Sequence, residues 1–441
     1  MRSVQQIHEV GIPETKNPVR KKAVTRYLLA ALYVLPVMTY TTGILQIVAT
    51  AGILLILLAL FFYDEFYLAL PILIFFYMQL ILPGGIVLFR IYSLLLILKV
   101  LKKPIPLDRG ALLPFLVITL YCVIWIFPQS IRLAVFIIFD VVFLLYYIRV
   151  YLASRGNFRR FFRFYALAAL SASAFGLLRM TGQLNTAVFV DGKWVFVTRF
   201  IATYNDPNYM GFFFNIAIFS LIALPLFRNQ HVQRGLIGLM YLALIATLST
   251  TAILCNAGGI FLYLILTRRI NLKTAVIVLM LSQLILFSYN MALQRPIPLL
   301  SNAALKVKSR IVEMDQRNLS SFSSERSDIW EAHLSYYKNQ SNVKIFFGGN
   351  VITAYLYDES KFETVSHQEL IDMLLNFGLV GTGAMMFSFL VRSGKILRNL
   401  IRKKQENEEE VAMLLMKYVW IFYAFGLTMF PGWMFFFFFF L

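Results

Sequence analysis

Long apolar runs alternate with short polar, mostly basic breaks from about residue 27 to the end of the chain. The apolar runs fall at 27–43, 44–62, 66–83, 86–101, 111–127, 131–151, 164–180, 209–227, 235–250, 251–267, 274–291, 368–391, 413–430 and 431–441. Crossing a hydrocarbon core of ~30 Å takes about 20 residues in helical form. Backbone in lipid must satisfy its own hydrogen bonds, which a helix does and an open strand does not. Each run therefore predicts a helix, and because several are short the expected count is about 12 to 14 spans. The pattern predicts an all-α polytopic membrane protein.

One stretch breaks the rhythm. Residues 291–366 carry nine basic and eight acidic side chains, and such a mixture predicts a structured external cap rather than a counterion tail. Its best helix runs over 325–338. Ser320, Ser321, Ser323 and Ser324 offer N-caps, and Glu325 and Asp328 fall in the first turn, where negative charge is favoured. Arg326, Trp330, Leu334 and Tyr337 then share one stripe, so the guanidinium is expected near the membrane surface beside two interfacial aromatics.

Charge sets the orientation. A net charge of +19 raises the question of nucleic acid, but the Lys and Arg residues cluster between apolar runs instead of along one polar face, which excludes a nucleic-acid partner. With a cytoplasmic N-terminus, the basic loops at 99–109, 149–163, 228–234, 268–273 and 392–404 all fall on the cytoplasmic side. The expected organisation is a basic cytoplasmic segment (1–26), transmembrane helices (27–291) with an external loop at 178–208, a large external loop (292–366), and C-terminal transmembrane helices (367–441). No short cleavable core precedes the first span, which is expected to act as its own insertion signal. Cys122 and Cys255 both sit in apolar runs and read as packing residues. The acidic stretch 406–410 reads as a solvated cytoplasmic face.

Candidate chemistry gathers on the two external loops. Ser366-His367-Gln368-Glu369 fits a capping box, which would put His367 in the first turn of a span. The positive end of the helix dipole disfavours imidazolium there, so His367 is expected to stay neutral near about pH 7 and to serve as a general base. On the other loop, Arg199 precedes Asn205-Asp206-Pro207-Asn208, in which Asp206 as N-cap and Pro207 at the first helical position predict a helix start. An arginine in either place is also a common headgroup anchor. Two together on outside loops match a diphosphate at the outer leaflet, because planar guanidinium forks fit phosphate oxygens. The early external loops hold no Asp-x-Asp or His-x-x-x-His cluster, so neither a metal nor another cofactor is expected. A Gly-rich nucleotide loop is absent as well. Arg90 and Asp140 lie inside apolar runs, where a buried pair and a snorkelling arginine are both open readings.

Three patches resemble the membrane-embedded O-antigen ligase and O-antigen, capsule or exopolysaccharide polymerase family. Arg199 with Asn205-Asp206-Pro207-Asn208 and Gly211 resembles the family's arginine followed by a Pro-Asn helix start. Arg326-Ser327-Asp328-Ile329-Trp330, then Phe347-Gly348-Gly349, resembles its large periplasmic loop; His367-Gln368-Glu369-Leu370, then Gly378-Leu379-Val380-Gly381, resembles its histidine and following turn. The family often has His-Asn where this chain has His367-Gln368, and a Ser-Arg turn where it has Leu248-Ser249-Thr250-Thr251. The resemblance implies a C-type (GT-C-like) glycosyltransferase in a bacterial cell membrane, with its active site on the outer face and a polyprenyl-diphosphate-linked glycan as donor. In that scheme Arg199 and Arg326 hold the diphosphate, His367 takes the proton of the attacking hydroxyl, and Trp330, Tyr337, Asn205, Asn208 and Gln368 contact diphosphate or glycan. The implied partners are a lipid-linked acceptor glycan, the bilayer, and chain-length regulator and flippase proteins.

Three functions stay open on these grounds. A polymerase would join lipid-linked repeat units, and a ligase would move finished polymer onto a lipid or wall acceptor. A flippase of lipid-linked glycan belongs to another class; it favours ionisable residues at mid-membrane in repeated halves, whereas here they gather in an external loop.

Overall fold

A computed structural model describes residues 18–40, 44–77, 79–82, 86–100, 109–128, 131–152, 154–178, 183–190, 193–204, 206–268, 326–349, 368–402 and 407–424. The runs at 274–291 and 431–441, the serines ahead of Arg326, and Asn205, Ser366 and His367 lie outside these residues.

The described chain is mostly helical. Helix α1 (Pro18–Val34) starts on a proline, whose missing N–H is no loss at a first position. It gives way at Pro36 to a 3-10 turn (Leu35–Tyr40), since proline cannot continue the α ladder. Helix α2 (Ile44–Leu60) matches its apolar run.

The run at 66–83 is not a single span. It folds as a 3-10 helix (Asp64–Ala69), a six-residue α3 (Leu70–Phe75) and a tight hairpin that pairs β1 (Ile81–Leu82) with β2 (Ile86–Val87). Helix α4 (Leu88–Val100) follows, with 13 residues, about 20 Å at ~1.5 Å per residue. Neither arm reaches across a layer of ~30 Å. Hydropathy is continuous here, but Pro71 at the start of α3 breaks the helix.

Such broken backbone needs partners for its carbonyls, and tyrosines supply them. The Tyr33 hydroxyl donates to the Leu68 carbonyl at 2.7 Å, the Tyr147 hydroxyl to Tyr67 at 2.7 Å, and the Tyr92 hydroxyl to Phe66 and Tyr67 at 3.4 and 3.3 Å. Removing the Tyr147 donor takes away the shortest hydroxyl bond to the Tyr67 carbonyl, which the Tyr92 hydroxyl and the Leu70 N–H still reach, a loss of about 0.5 to 1.5 kcal/mol. Tyr147→Phe is expected to lower the unfolding midpoint in detergent accordingly, while Tyr27→Phe, at a ring 77% exposed, should not. Equal midpoints for the two variants would remove the hydroxyl's role.

Helices α5 (Arg109–Tyr121) and α6 (Ile131–Tyr147) each run on into a π-helical turn, at Cys122–Ile126 and Ile148–Leu152. The charges inside the apolar runs resolve as a pair, because Arg90 donates to the buried Asp140 carboxylate. Helix α7 (Arg155–Leu178) leads to the second departure from an all-α fold. There an antiparallel hairpin of two eight-residue strands, β3 (Gln183–Val190) and β4 (Lys193–Phe200), occupies the expected loop at 178–208.

Next come α8 (Pro207–Ala223), α9 (Gln230–Ala246) and α10 (Thr250–Leu266). The polar stretch 291–366 supplies α11 (Arg326–Lys338) and α12 (Asn342–Phe347), and the described chain ends with α13 (Glu369–Arg402) and α14 (Glu408–Ala424). Helix α8 is the centre of the core, packed on α7, α9, α10 and α14. At Gly211 an added Cβ would stand 2.4 Å from the Ala252 Cβ, so only glycine lets α8 and α10 cross this closely. Asn256 donates to Asn215 at 2.8 Å, and Asn215 donates to the Ala252 carbonyl at 3.0 Å and to the Tyr423 hydroxyl at 3.2 Å, tying α8, α10 and α14 together.

At the opposite ends of these helices, Arg159 of α7 donates to Glu408 at 3.0 Å and to Glu409 at 2.8 Å. The acidic stretch at 406–410 is therefore not simply a solvated face; Glu409 is buried in an ion-paired clamp between α7 and α14. Two described segments, Gly156–Leu178 and Leu370–Arg402, are long and apolar enough to cross a membrane. Large apolar side chains stand exposed along α2 (Ile44, Leu55), α9 (Leu242) and α13 (Phe387, Leu390), a surface that water disfavours.

Candidate functional site

Arg199 is the penultimate residue of β4, in register with Leu184. Its neighbour Phe200 is buried and stacks on Phe214 of α8 at 6.5 Å, which fixes the end of the strand against the helical core. The chain then turns through Ala202, at a φ of 46°, and is held from below by the broken segment described above. Gln79 Nε2 donates to the Thr203 carbonyl at 3.0 Å, and the Tyr204 hydroxyl to the Ile74 carbonyl at 2.7 Å. Helix α8 starts where the sequence predicts, with Pro207 in its first turn and the Asp206 side chain accepting from the Asn208 N–H at 2.6 Å.

Asn208 joins two patches that are distant in sequence. Its Oδ1 accepts from Ser249 Oγ at 2.6 Å, and the same Oγ accepts the Ala252 N–H at 3.2 Å as the N-cap of α10. The Ser249 position, where the resembling family often carries a Ser-Arg turn, is thus a junction between two helix starts.

In the polar stretch 291–366 α11 forms as expected, and Trp330, Leu334 and Tyr337 do share a face. That face docks onto Ile371, Leu374 and Leu375 of α13, together with Ile345 of α12. Tyr337 is buried there and donates its hydroxyl to the Ile345 carbonyl at 2.6 Å, and burial pushes its phenol pKa up. Tyr337 is therefore a strut between α11 and α12 and leaves the set of aromatics offered to a ligand. Trp330 is only half-buried. The sequence reading missed His333, one turn beyond Trp330. It is 1% exposed, with Nδ1 2.8 Å from the Ile329 carbonyl; its signal was only its place on the stripe.

The tightest junction lies where α12 ends. Gly348 (φ 76°) and Gly378 (φ 65°) both have backbone conformations that side chains rarely adopt, and Gly378 breaks α13 in its N-terminal third. A Cβ on Gly378 would come within 2.4 Å of the Gly348 nitrogen, and one on Gly348 within 2.0 Å of the Asn376 carbonyl oxygen. Gly349 N–H donates to that carbonyl at 3.3 Å. The Tyr121 hydroxyl donates to Asn376 Oδ1 at 2.9 Å and brings α5 to the same point. Helix α13 begins at Glu369, with Gln368 just outside it. A capping box from Ser366 requires Glu369 to be the third helical residue, so the helix starts two positions later than expected. Asn205 and His367 lie outside the described residues.

The structure thus joins the patches in two pairs, Asn208 with Ser249 and Phe347-Gly348-Gly349 with Gly378. No group of three or more His, Cys, Asp or Glu residues suited to a metal occurs among the described residues. No family model matches the chain, and no curated protein matches it either.

Proposed function

We propose that the chain is a polytopic membrane glycosyltransferase of GT-C-like fold that polymerises glycan at the outer face of a bacterial cell membrane. The observation that carries the reading is the docking of the external segment on α13. In sequence Arg326 precedes Trp330 by four residues and His367 precedes Ile371 by four, and Trp330 and Ile371 belong to one packed cluster. An arginine and a histidine leading into two mutually packed helices suit a charged leaving group beside a proton acceptor. The exposed apolar faces and the two long apolar helices support the bilayer setting.

In this reading Arg326 and Arg199 bind the diphosphate of a polyprenyl-linked donor and stabilise the charge that grows as it leaves. His367 takes the proton of the acceptor hydroxyl. The hydroxyl oxygen attacks the anomeric carbon, the bond from that carbon to the diphosphate breaks with its electron pair going to the diphosphate, and the centre inverts. Trp330 offers a ring face to a sugar, and Asn208, with Asn205 and Gln368, offers polar contacts. A lipid-linked glycan is the acceptor; a flippase and a chain-length regulator are the expected partner proteins.

A transport reading draws on one specific observation, the broken helix 64–75 together with the Arg90 and Asp140 pair. Reconstituted protein given a purified lipid-linked donor separates the two. Lengthened glycan is expected, undiminished by a chelator; movement of unchanged donor across the bilayer would establish transport, and loss of product on chelation would refute the metal-free chemistry. Surface glycan from a deletion strain separates polymerase from ligase. Single capped repeat units fit the first, and full-length polymer without its acceptor fits the second.

A further inference from the structure

Arg90 and Asp140 take no part in the proposed chemistry, yet their pair is built unevenly. The Asp140 side chain is 7% exposed and the Arg90 side chain 28%, so the negative member is sealed in while the positive one reaches the surface. The buried carboxylate fixes the guanidinium fork. The Tyr77 hydroxyl lies within hydrogen-bonding reach of the same fork, its ring set edge-on against Phe89 at 5.7 Å. A guanidinium has five N–H donors and no acceptor, so its exposed edge suits an anion.

Two placements say which anion. Along α4, Arg90 heads a stripe with Leu94 and Leu98 at i+4 and i+8, and these leucines are 50% and 52% exposed. A positive charge at the head of an open apolar stripe complements a ligand with an anionic head and a hydrocarbon tail. Arg90 also lies at the same end of the bundle as Arg199. The Leu88 N–H, which begins α4, donates to the Leu80 carbonyl at 2.9 Å, and the adjoining Gln79 holds the Thr203 carbonyl, between β4 and α8, at 3.0 Å. Polymerisation between two lipid-linked glycans brings two diphosphates to that end at once, one leaving and one staying with the acceptor. Arg199 and Arg326 serve the first.

We propose that Arg90 binds the diphosphate of the lipid-linked acceptor, whose polyprenyl chain lies along Leu94 and Leu98. The inference rests on the glycosyltransferase reading and gives the acceptor a place of its own. Asp140 positions Arg90 and touches no substrate. No bond is made or broken at this site.

Native mass spectrometry of the full-length protein in detergent counts bound lipid, with sugarless polyprenyl diphosphate and phosphatidylglycerol as probes. Wild type is expected to hold two polyprenyl diphosphates. The pair variant Arg90→Gln with Asp140→Asn, which leaves no charge buried, should hold one. Arg326→Ala should keep a lipid that is lost when all three substitutions are combined. Two lipids on the pair variant overturn the role of Arg90. One lipid on wild type, kept by the pair variant and lost from Arg326→Ala, also overturns it and leaves the proposed function standing. No lipid on wild type removes the glycosyltransferase reading and this site together. Phosphatidylglycerol should not displace the lipid at Arg90; displacement at equal concentration would make the site a headgroup anchor and overturn the acceptor assignment. Should the pair variant not fold, Arg90→Lys keeps the charge without the planar fork, and its second polyprenyl diphosphate should bind about tenfold more weakly. Unchanged affinity in that variant overturns the proposal.

Discussion

Gly378→Val is expected to detach α11 and α12 from α13 and to lower stability by about 3 to 6 kcal/mol. Two costs combine. At φ 65° and ψ −173° the residue occupies a region that is essentially reserved for glycine. The new Cβ would also be driven to within 2.5 Å of the Phe346 carbonyl and 2.4 Å of the Gly348 nitrogen, both backbone atoms that cannot rotate away. Gly383→Ala, five residues on in the same helix, is the control, because nothing lies within 4 Å of its added Cβ. It should be neutral or mildly stabilising. The measurement is the unfolding midpoint together with the rate of proteolysis between α12 and α13. A Gly378→Val protein with the midpoint and protease resistance of the control would show that the two chain segments do not meet as described.

Arg326→Ala is expected to reduce polymer formation by about 10² to 10³-fold, the usual loss when one preorganised charge at a leaving group is removed. Arg326→Lys should recover little, since an ammonium keeps the charge and loses the planar fork. Arg199→Ala should give a loss of the same order. If both arginines hold one diphosphate, the double variant should lose less than the product of the two single losses, because residues acting as a unit are not additive. Lipid-linked repeat units should still reach the outer face in each variant. Units retained inside would abandon the enzyme for transport, and a folded Arg326→Ala protein that polymerises normally would remove Arg326 from the site.

Much of the helical framework was legible because its signals are local. Asp206-Pro207 announced α8 without ambiguity, and the serines and acids before Trp330 announced α11. The β3 and β4 hairpin was equally local and was overlooked. Strand-favouring residues, Val188, Phe189 and Val190 on one side and Trp194, Val195 and Phe196 on the other, flank Asp191-Gly192, a strong two-residue turn signal. Reading the stretch as an external loop hid it. The segment at 66–83 failed for a different reason, since hydropathy averages over a window and cannot register that Pro71 restarts a helix.

The site was legible as patches but not as contacts. Nothing near Ser249 in sequence says that its hydroxyl meets Asn208, and Gly378 carries no mark of the Gly348 that it faces. Tyr337 looked like Trp330 from the helical wheel. Only the position of Ile345 separates the buried strut from the half-buried ring.

The three tyrosines that hold the broken segment also set an order of assembly. Tyr33 lies ahead of the carbonyls it caps, but Tyr92 and Tyr147 follow, the latter 80 residues later. During synthesis the segment 64–75 is made long before its last donor exists. It must wait, incompletely bonded, until Tyr204 beyond β4 has been added to reach the Ile74 carbonyl, so its settling reports that the N-terminal half of the protein has closed.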